Sequence, residues 1–106
     1  MTNNTALRWG NATRPVAHLS GEIDLANAAD LFAAIRASTN GTGVVDLSDV
    51  TFVDSSALNQ LVHLHKSIEL RIVAPPGTRP RRVLELAGLV HVLQIHDELD
   101  TALGDQ

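Results

Sequence analysis

Val50-Thr51-Phe52-Val53-Asp54-Ser55-Ser56-Ala57-Leu58 is the stretch on which the reading of this chain turns. An apolar segment meets an acid, two hydroxyls and a small residue, and a helical pattern begins at once. Small polar residues at a strand-to-helix junction stand where the first backbone N–H groups lack intrahelical partners and where a side chain reaches solvent. Asp and Ser are also among the most favoured helix N-caps. The residue types alone therefore leave capping and a functional role both open for Asp54 and Ser55.

Upstream of the junction, Val44-Val45-Asp46-Leu47 predicts a short central strand and Ser48-Asp49 a turn, with Val50 to Val53 returning toward the junction. An acid in so apolar a strand belongs at an exposed end or accepts local backbone hydrogen bonds, because an unpaired buried carboxylate is costly. Downstream, Leu58, Leu61, Val62 and His65 recur on one helical face with Leu64 and Ile68 flanking it.

Further out, Ala6–Trp9 and Val16–Ser20 bracket the turn residues Gly10-Asn11-Ala12-Thr13, the pattern of an antiparallel hairpin. Val16 and His18 fall on one of its faces and Ala17 and Leu19 on the other, and Gly21 breaks the pattern. Asp24 is placed to cap a first helix whose buried stripe is Ala28, Leu31, Phe32 and Ile35. Asn40-Gly41-Thr42-Gly43 ends it. Leu70-Arg71-Ile72-Val73 predicts the next strand, stopped by Ala74-Pro75-Pro76-Gly77. Thr78 then caps a short helix with Pro80 in its first turn, a packing face of Val83, Leu86 and Ala87, and Gly88 at its end. Arg79, Arg81 and Arg82 cluster in that first turn, either as a solvated surface or as a contact for an acidic partner or a phosphate. Val90 to Ile95 predict a last strand, and Asp97 caps a terminal helix carrying Leu99, Ala102 and Leu103, closed by Gly104.

The order β-β-α-β-α-β-α-β-α describes a single α/β domain over residues 1–106, with a mixed, mostly parallel sheet of four to five strands and flanking helices. Hydrophobic residues at 44% and charged residues at 19% are a globular composition. A net charge of −4 and aromatics limited to Trp9, Phe32 and Phe52 argue against nucleic acid as a direct partner. No apolar run approaches the ~18 residues of a membrane span. Met1-Thr2-Asn3-Asn4-Thr5 has neither the basic region nor the apolar run of a signal peptide. With no cysteine in the chain, this points to a cytoplasmic protein without membrane insertion. His63 and His65, two apart on a helix, diverge and are not a metal pair. No nucleophile elbow, phosphate-binding loop or dinucleotide fingerprint is present. The reading is a non-enzymatic binding module with no cofactor, no metal and no catalytic residue.

Three stretches in order, Ser20-Gly21-Glu22-Ile23-Asp24, Val44 through Leu58, and Arg82-Val83-Leu84-Glu85-Leu86-Ala87-Gly88-Leu89, resemble the STAS domain, and in particular the stand-alone bacterial anti-sigma factor antagonists. The resemblance implies a phosphorylatable serine directly after the acid at the start of the second helix, here Ser55, with a partner surface formed by Asp24, Asp54, Ser55, Ser56 and Ala57. It implies as partner an anti-sigma factor that is also a serine kinase. The unphosphorylated antagonist sequesters it and frees a sigma factor, phosphorylation ends the association, and a PP2C-type phosphatase reverses it. Ala57 stands where that pattern has glycine, and the Ala57–Glu69 segment is short and lacks a glycine turn. STAS domains also serve as constitutive subunits of lipid ABC transporters and of stress-signalling assemblies, which is the alternative reading.

Overall fold

The computed structural model describes residues 5–10 and 14–104. The expectations for Met1–Asn4 and for the turn residues Asn11-Ala12-Thr13 lie outside the described residues. The elements are β1 (Ala6–Gly10), β2 (Val16–Ile23), α1 (Ala28–Ser38), β3 (Thr42–Val53), α2 (Ser55–Ser67), β4 (Glu69–Val73), α3 (Arg79–Leu86), a 3-10 turn (Leu89–His91), β5 (Gln94–His96) and α4 (Leu99–Leu103). They reproduce the order read from the sequence. The strands form one five-stranded sheet in the order β1-β2-β3-β4-β5. The β1–β2 hairpin is antiparallel, and β2, β3, β4 and β5 run parallel.

Alternation along the strands divides the apolar residues between two layers. Ala17, Leu19, Val45, Leu47, Leu70 and Ile72 join the main core with Phe32 and Ile35 of α1, Leu61 and Leu64 of α2, and Leu84 of α3. Val16, Val44 and Val73 form a smaller cluster with Ala102 of α4. Polar contacts tie the layers at their edges. Glu69 accepts from the Thr42 hydroxyl at 2.8 Å and pairs with Arg14 at 2.7 Å and Arg71 at 3.1 Å. The Thr42 hydroxyl, aided by both guanidiniums, holds the Glu69 carboxyl below its ordinary range against the opposing effect of desolvation.

The structure corrects several local expectations. Ser48-Asp49 is no turn, because β3 runs unbroken from Thr42 to Val53. Its pairing with β2 absorbs an extra residue between Asp46 and Asp49, and another between Val50 and Phe52. These are β-bulges, which bend a strand without ending it. Asp46 holds the first one: its carboxylate accepts from the backbone N–H (3.0 Å) and hydroxyl (2.6 Å) of Ser48, and faces His18 Nδ1 at 2.7 Å. Local side-chain bonds of this kind imitate turn chemistry in a sequence. Gly21 likewise sits inside β2, where its φ of 83° serves the second irregularity, and Thr51 donates to its carbonyl.

Asp24 is not the cap of α1: the N-cap position falls three residues later, at Asn27, and the helix begins at Ala28. In α2 the buried residues are Ala57, Leu61 and Leu64, so the inward face is turned away from the Val62 and His65 edge. In α3 they are Pro80 and Leu84; Val83 is only partly buried, and Leu86 and Ala87 are exposed. The last strand begins at Gln94 because Leu89–His91 form a 3-10 turn behind Gly88, whose φ is 75°. Glu98 occupies the N-cap position of α4, while Asp97 is drawn to Arg81 at 2.7 Å. The short connection after α2 is real: Ile68, in an extended conformation, is the only residue between α2 and β4.

His96 closes the exposed end of this frame. Its Nε2 is buried with no hydrogen-bond partner among the described residues. Burial first, and then the Arg71 charge, push the imidazole below its ordinary range, against a smaller pull from Asp97. The folded state thus binds the proton less readily than the unfolded chain. This contribution to stability is complete above the unfolded value of about 6.5 and is lost as pH falls through the lower folded value. Urea unfolding followed at a series of pH values should show stability falling on acidification below about pH 6.5, with a shallower fall in His96→Gln. An equal slope in the two proteins would remove His96 from the account.

Candidate functional site

The parallel strands β2 and β3 end side by side at Ile23 and Val53, and the two bulges set that alignment. Asp54 N–H donates to the Ile23 carbonyl at 3.3 Å, so the chain leaves β3 held against the end of β2. The loops at the carboxyl ends of parallel strands are where open α/β sheets place their working residues.

Asp54 organises the junction. It is the N-cap of α2, and its Oδ1 accepts from the Ala57 N–H at 3.1 Å. Its Oδ2 accepts at 3.1 Å from the N–H of Leu25, in the loop before α1. One carboxylate therefore ties the first turn of α2 to the loop before α1 and places negative charge at the positive end of α2. Asp24, one residue before Leu25, shapes the same loop. Its carboxylate accepts from Ala26 N–H at 3.0 Å, and its backbone carbonyl accepts from Asn27 and Ala28. Asn27 braces the loop from behind: its side chain accepts from Asp24 N–H and donates to the Glu22 carbonyl and to the Thr5 hydroxyl. Thr5 in turn donates to the Glu22 carbonyl.

Ser55 is the first residue of α2 and is exposed, and its hydroxyl has no hydrogen-bond partner among the described residues. Ser56, half-buried, lines a groove of about 270 Å³ between α1 and α2 together with Leu25, Ala28, Asn59, Gln60 and His63. Asp24, Asp54, Ser55 and Ser56 thus gather at one end of the sheet. Ala57 does not join their surface. It is 1% exposed, and its methyl group packs in the main core beneath them. Alanine also suits this helical position better than glycine would, by roughly 0.8–1.0 kcal/mol.

Sequence reasoning missed Leu25, which is 80% exposed, and the groove beside it. Leu25 carries no local signal, since its position depends on Asp54, 29 residues away. A signal for the groove did exist. Ser56, Asn59, Gln60 and His63 form an uncharged polar stripe at helical spacing along α2. Among the described residues no cluster of potential metal ligands occurs, and no helix is long and apolar enough to cross a membrane.

The STAS domain model matches residues 11–102. The chain belongs to the STAS domain family. No curated protein sequence matches it. Among solved structures it is similar to an anti-sigma factor antagonist from Mycobacterium paratuberculosis, at 28% identity and a TM-score of 0.82, covering 94% of this chain and 92% of that one. It is also similar to the anti-sigma factor antagonist SpoIIAA in its unphosphorylated form, at 21% identity and a TM-score of 0.71, covering 91% and 92%. The Bacillus cell fate determinant SpoIIAA in the phosphorylated form matches at 20% identity and a TM-score of 0.65, covering 91% and 96%. The two SpoIIAA structures share this STAS fold. The motifs that carried the resemblance in the sequence are the ones the fold assembles: the end of β2 at Ile23, the bulged β3 and its junction with α2, and α3 with its terminating Gly88.

The dependence of the Leu25 loop on Asp54 is open to measurement. Asp54→Ala should cost about 1–3 kcal/mol, the range for losing a cap and leaving donors unpaired. Hydrogen exchange at the Leu25 and Ala57 amides should accelerate together. Unchanged protection at Leu25 would show that the loop is held by Asn27 alone.

Proposed function

We propose that this STAS domain is an anti-sigma factor antagonist whose working surface is the Ser55 end of the sheet. In its unphosphorylated form it binds an anti-sigma factor serine kinase in the cytoplasm and thereby releases a sigma factor. Phosphorylation of Ser55 ends the association, and a PP2C-type phosphatase restores it. The observation that carries this reading is the exposed Ser55 hydroxyl, without a partner among the described residues, at the first position of a helix whose cap is supplied by its neighbour Asp54. The task of starting the helix falls to Asp54, so Ser55 is left available for modification. The likeness to the Mycobacterium antagonist supports the same role.

The physical chemistry of the switch follows from the position. A phosphate on Ser55 lies at a helix N-terminus, where the macrodipole favours an anion by about 0.3–1 kcal/mol. The Asp54 carboxylate one residue away opposes it. The domain therefore accepts the modification with little net change in stability. A partner interface does not. Burying about −1.5 to −2 units of charge with no facing cation costs several kcal/mol, and each ~1.4 kcal/mol is tenfold in affinity. The switch works through the interface and needs no rearrangement of the fold.

The alternative of a constitutive scaffold subunit drew on Ala57 and on the short second helix. Ala57 does not separate the two readings, and the short helix is compatible with both. Ala57 is a core residue that leaves the surface of Ser55 and Ser56 open. The short helix is closed by Ile68, which packs against the core and passes directly into β4.

Incubation with the cognate kinase and ATP should label the wild-type protein and leave Ser55→Ala unlabelled. Ser55→Asp should unfold at nearly the wild-type urea concentration yet bind the kinase at least about a hundredfold more weakly, the equivalent of roughly 2.7 kcal/mol. Labelling that survives in Ser55→Ala and disappears in Ser56→Ala would transfer the role to Ser56. Full binding by the phosphorylated protein would overturn the switch.

A further inference from the structure

The arginine cluster noted in the sequence is divided by the structure into two kinds of residue. Arg81 is internal to the fold. Its guanidinium donates to the Ala74 carbonyl at 2.8 Å, pairs with Asp97 at 2.7 Å and reaches Glu85 at 3.2 Å, joining α3 to the ends of β4 and β5. Asp97 chiefly raises its pKa further. Arg79 and Arg82 are exposed and have no ion-pair or hydrogen-bond partner among the described residues. They lie with Val83 and Leu86 at positions i, i+3, i+4 and i+7, which form one continuous stripe along a helix. Together with Gly77 and Thr78 the stripe lines a groove of about 390 Å³.

Leu86 is 77% exposed at one end of this groove. An isolated exposed leucine needs no explanation. A leucine continuous with a second apolar residue and two uncommitted guanidiniums is a surface of defined chemistry. The helix that bears it is held firmly. Leu84 and Pro80 are buried on its inner side, Arg81 clamps it to the sheet, and the Thr78 hydroxyl bonds the Pro75 carbonyl at 2.7 Å. A surface already held in its binding geometry loses little entropy when a partner docks.

We propose that the α3 groove is a second docking surface, separate in its lining from the groove beside Ser56, and that it receives an acidic amphipathic segment of a partner protein. Charge complementarity selects that occupant. Paired carboxylates match the planar donor forks of Arg79 and Arg82, and apolar residues at helical spacing cover Val83 and Leu86. A membrane is a poorer match. Juxtamembrane binding draws on clusters of about 4–8 cations, and this surface offers Arg79 and Arg82 on a chain of net charge −4. Nucleic acid is disfavoured by the same count and by the lack of an aromatic residue in the groove.

The full chain, isotopically labelled, can be titrated with a synthetic helical peptide bearing glutamates and leucines at i, i+3, i+4 and i+7, and with its lysine-for-glutamate counterpart. The acidic peptide should shift the amide resonances of Gly77 to Leu86 and the Nε–H signals of Arg79 and Arg82, and its affinity should fall as salt is added. The Arg79→Glu/Arg82→Glu double variant should retain the fold and weaken binding at least tenfold, and Leu86→Asp should weaken it as well. Absence of shifts along the stripe, equal binding of the lysine peptide, or equal occupation of the stripe by phosphatidylglycerol vesicles would overturn the proposal.

Discussion

The working end of this domain depends on the two oxygens of one carboxylate. Asp54 closes the first turn of α2 through Ala57 and holds the loop before α1 through Leu25. Neither bond is strong in itself, at about 0.5–1.5 kcal/mol for an ordinary intramolecular hydrogen bond and somewhat more when one partner is charged. Their importance lies in geometry. They join two segments that leave adjacent parallel strands, so the exposed Ser55, the half-buried Ser56 and the loop of Asp24 and Leu25 share one surface. The bulges in β3 bring Val53 level with Ile23 and so set that carboxylate beside the loop before α1. The bulge at Asp46 and the bridge at Asp54 are thus successive parts of one arrangement along a single strand.

The same arrangement separates the packed core from the exposed junction. The elements below the junction are committed to the core: Ala57, Leu61 and Leu64 of α2 face inward, and Ile68 leads straight into β4. The residues above it, Asp24, Asp54, Ser55 and Ser56 with Leu25 beside them, are exposed or half-buried. A charge added at Ser55 meets solvent and a helix N-terminus. The burial pattern therefore supports a domain whose fold tolerates a charge at Ser55. On α3 the division recurs. Arg81 serves the fold, and its sequence neighbours Arg79 and Arg82 do not.

Much of this was legible in the chain because it rests on short-range signals. The turn from an apolar strand to Asp-Ser-Ser at residues 54–56 located the junction, and capping chemistry made Asp54 the start of a helix. The alternation of Val16, Ala17, His18 and Leu19 assigned both faces of β2 correctly. Local reasoning failed where a residue served a distant partner. Ser48 and Asp49 looked like a turn because Asp46 bonds Ser48 within a bulge, and a bulge is defined only by the strand opposite. Asp24 looked like a cap because its carboxylate does bond a backbone amide two residues on, although the helix itself begins only after Asn27. Asp97 looked like a cap and is held instead by Arg81.

By itself, then, the sequence determined the order of the elements, the family resemblance, the place of the junction and the exposure of Ser55 at a helix start. The resemblance rests on three motifs standing in order, and the rest follows from periodicity and capping within a few residues. Only the tertiary structure decided which face of α2 and α3 turns inward, that Ala57 lies beneath the surface, that Leu25 stands beside the junction, and that Arg79 and Arg82 remain uncommitted. Those outcomes depend on contacts across the sheet between residues far apart in the chain, and helical periodicity constrains them only to within about one residue's rotation of the helix, roughly 100°.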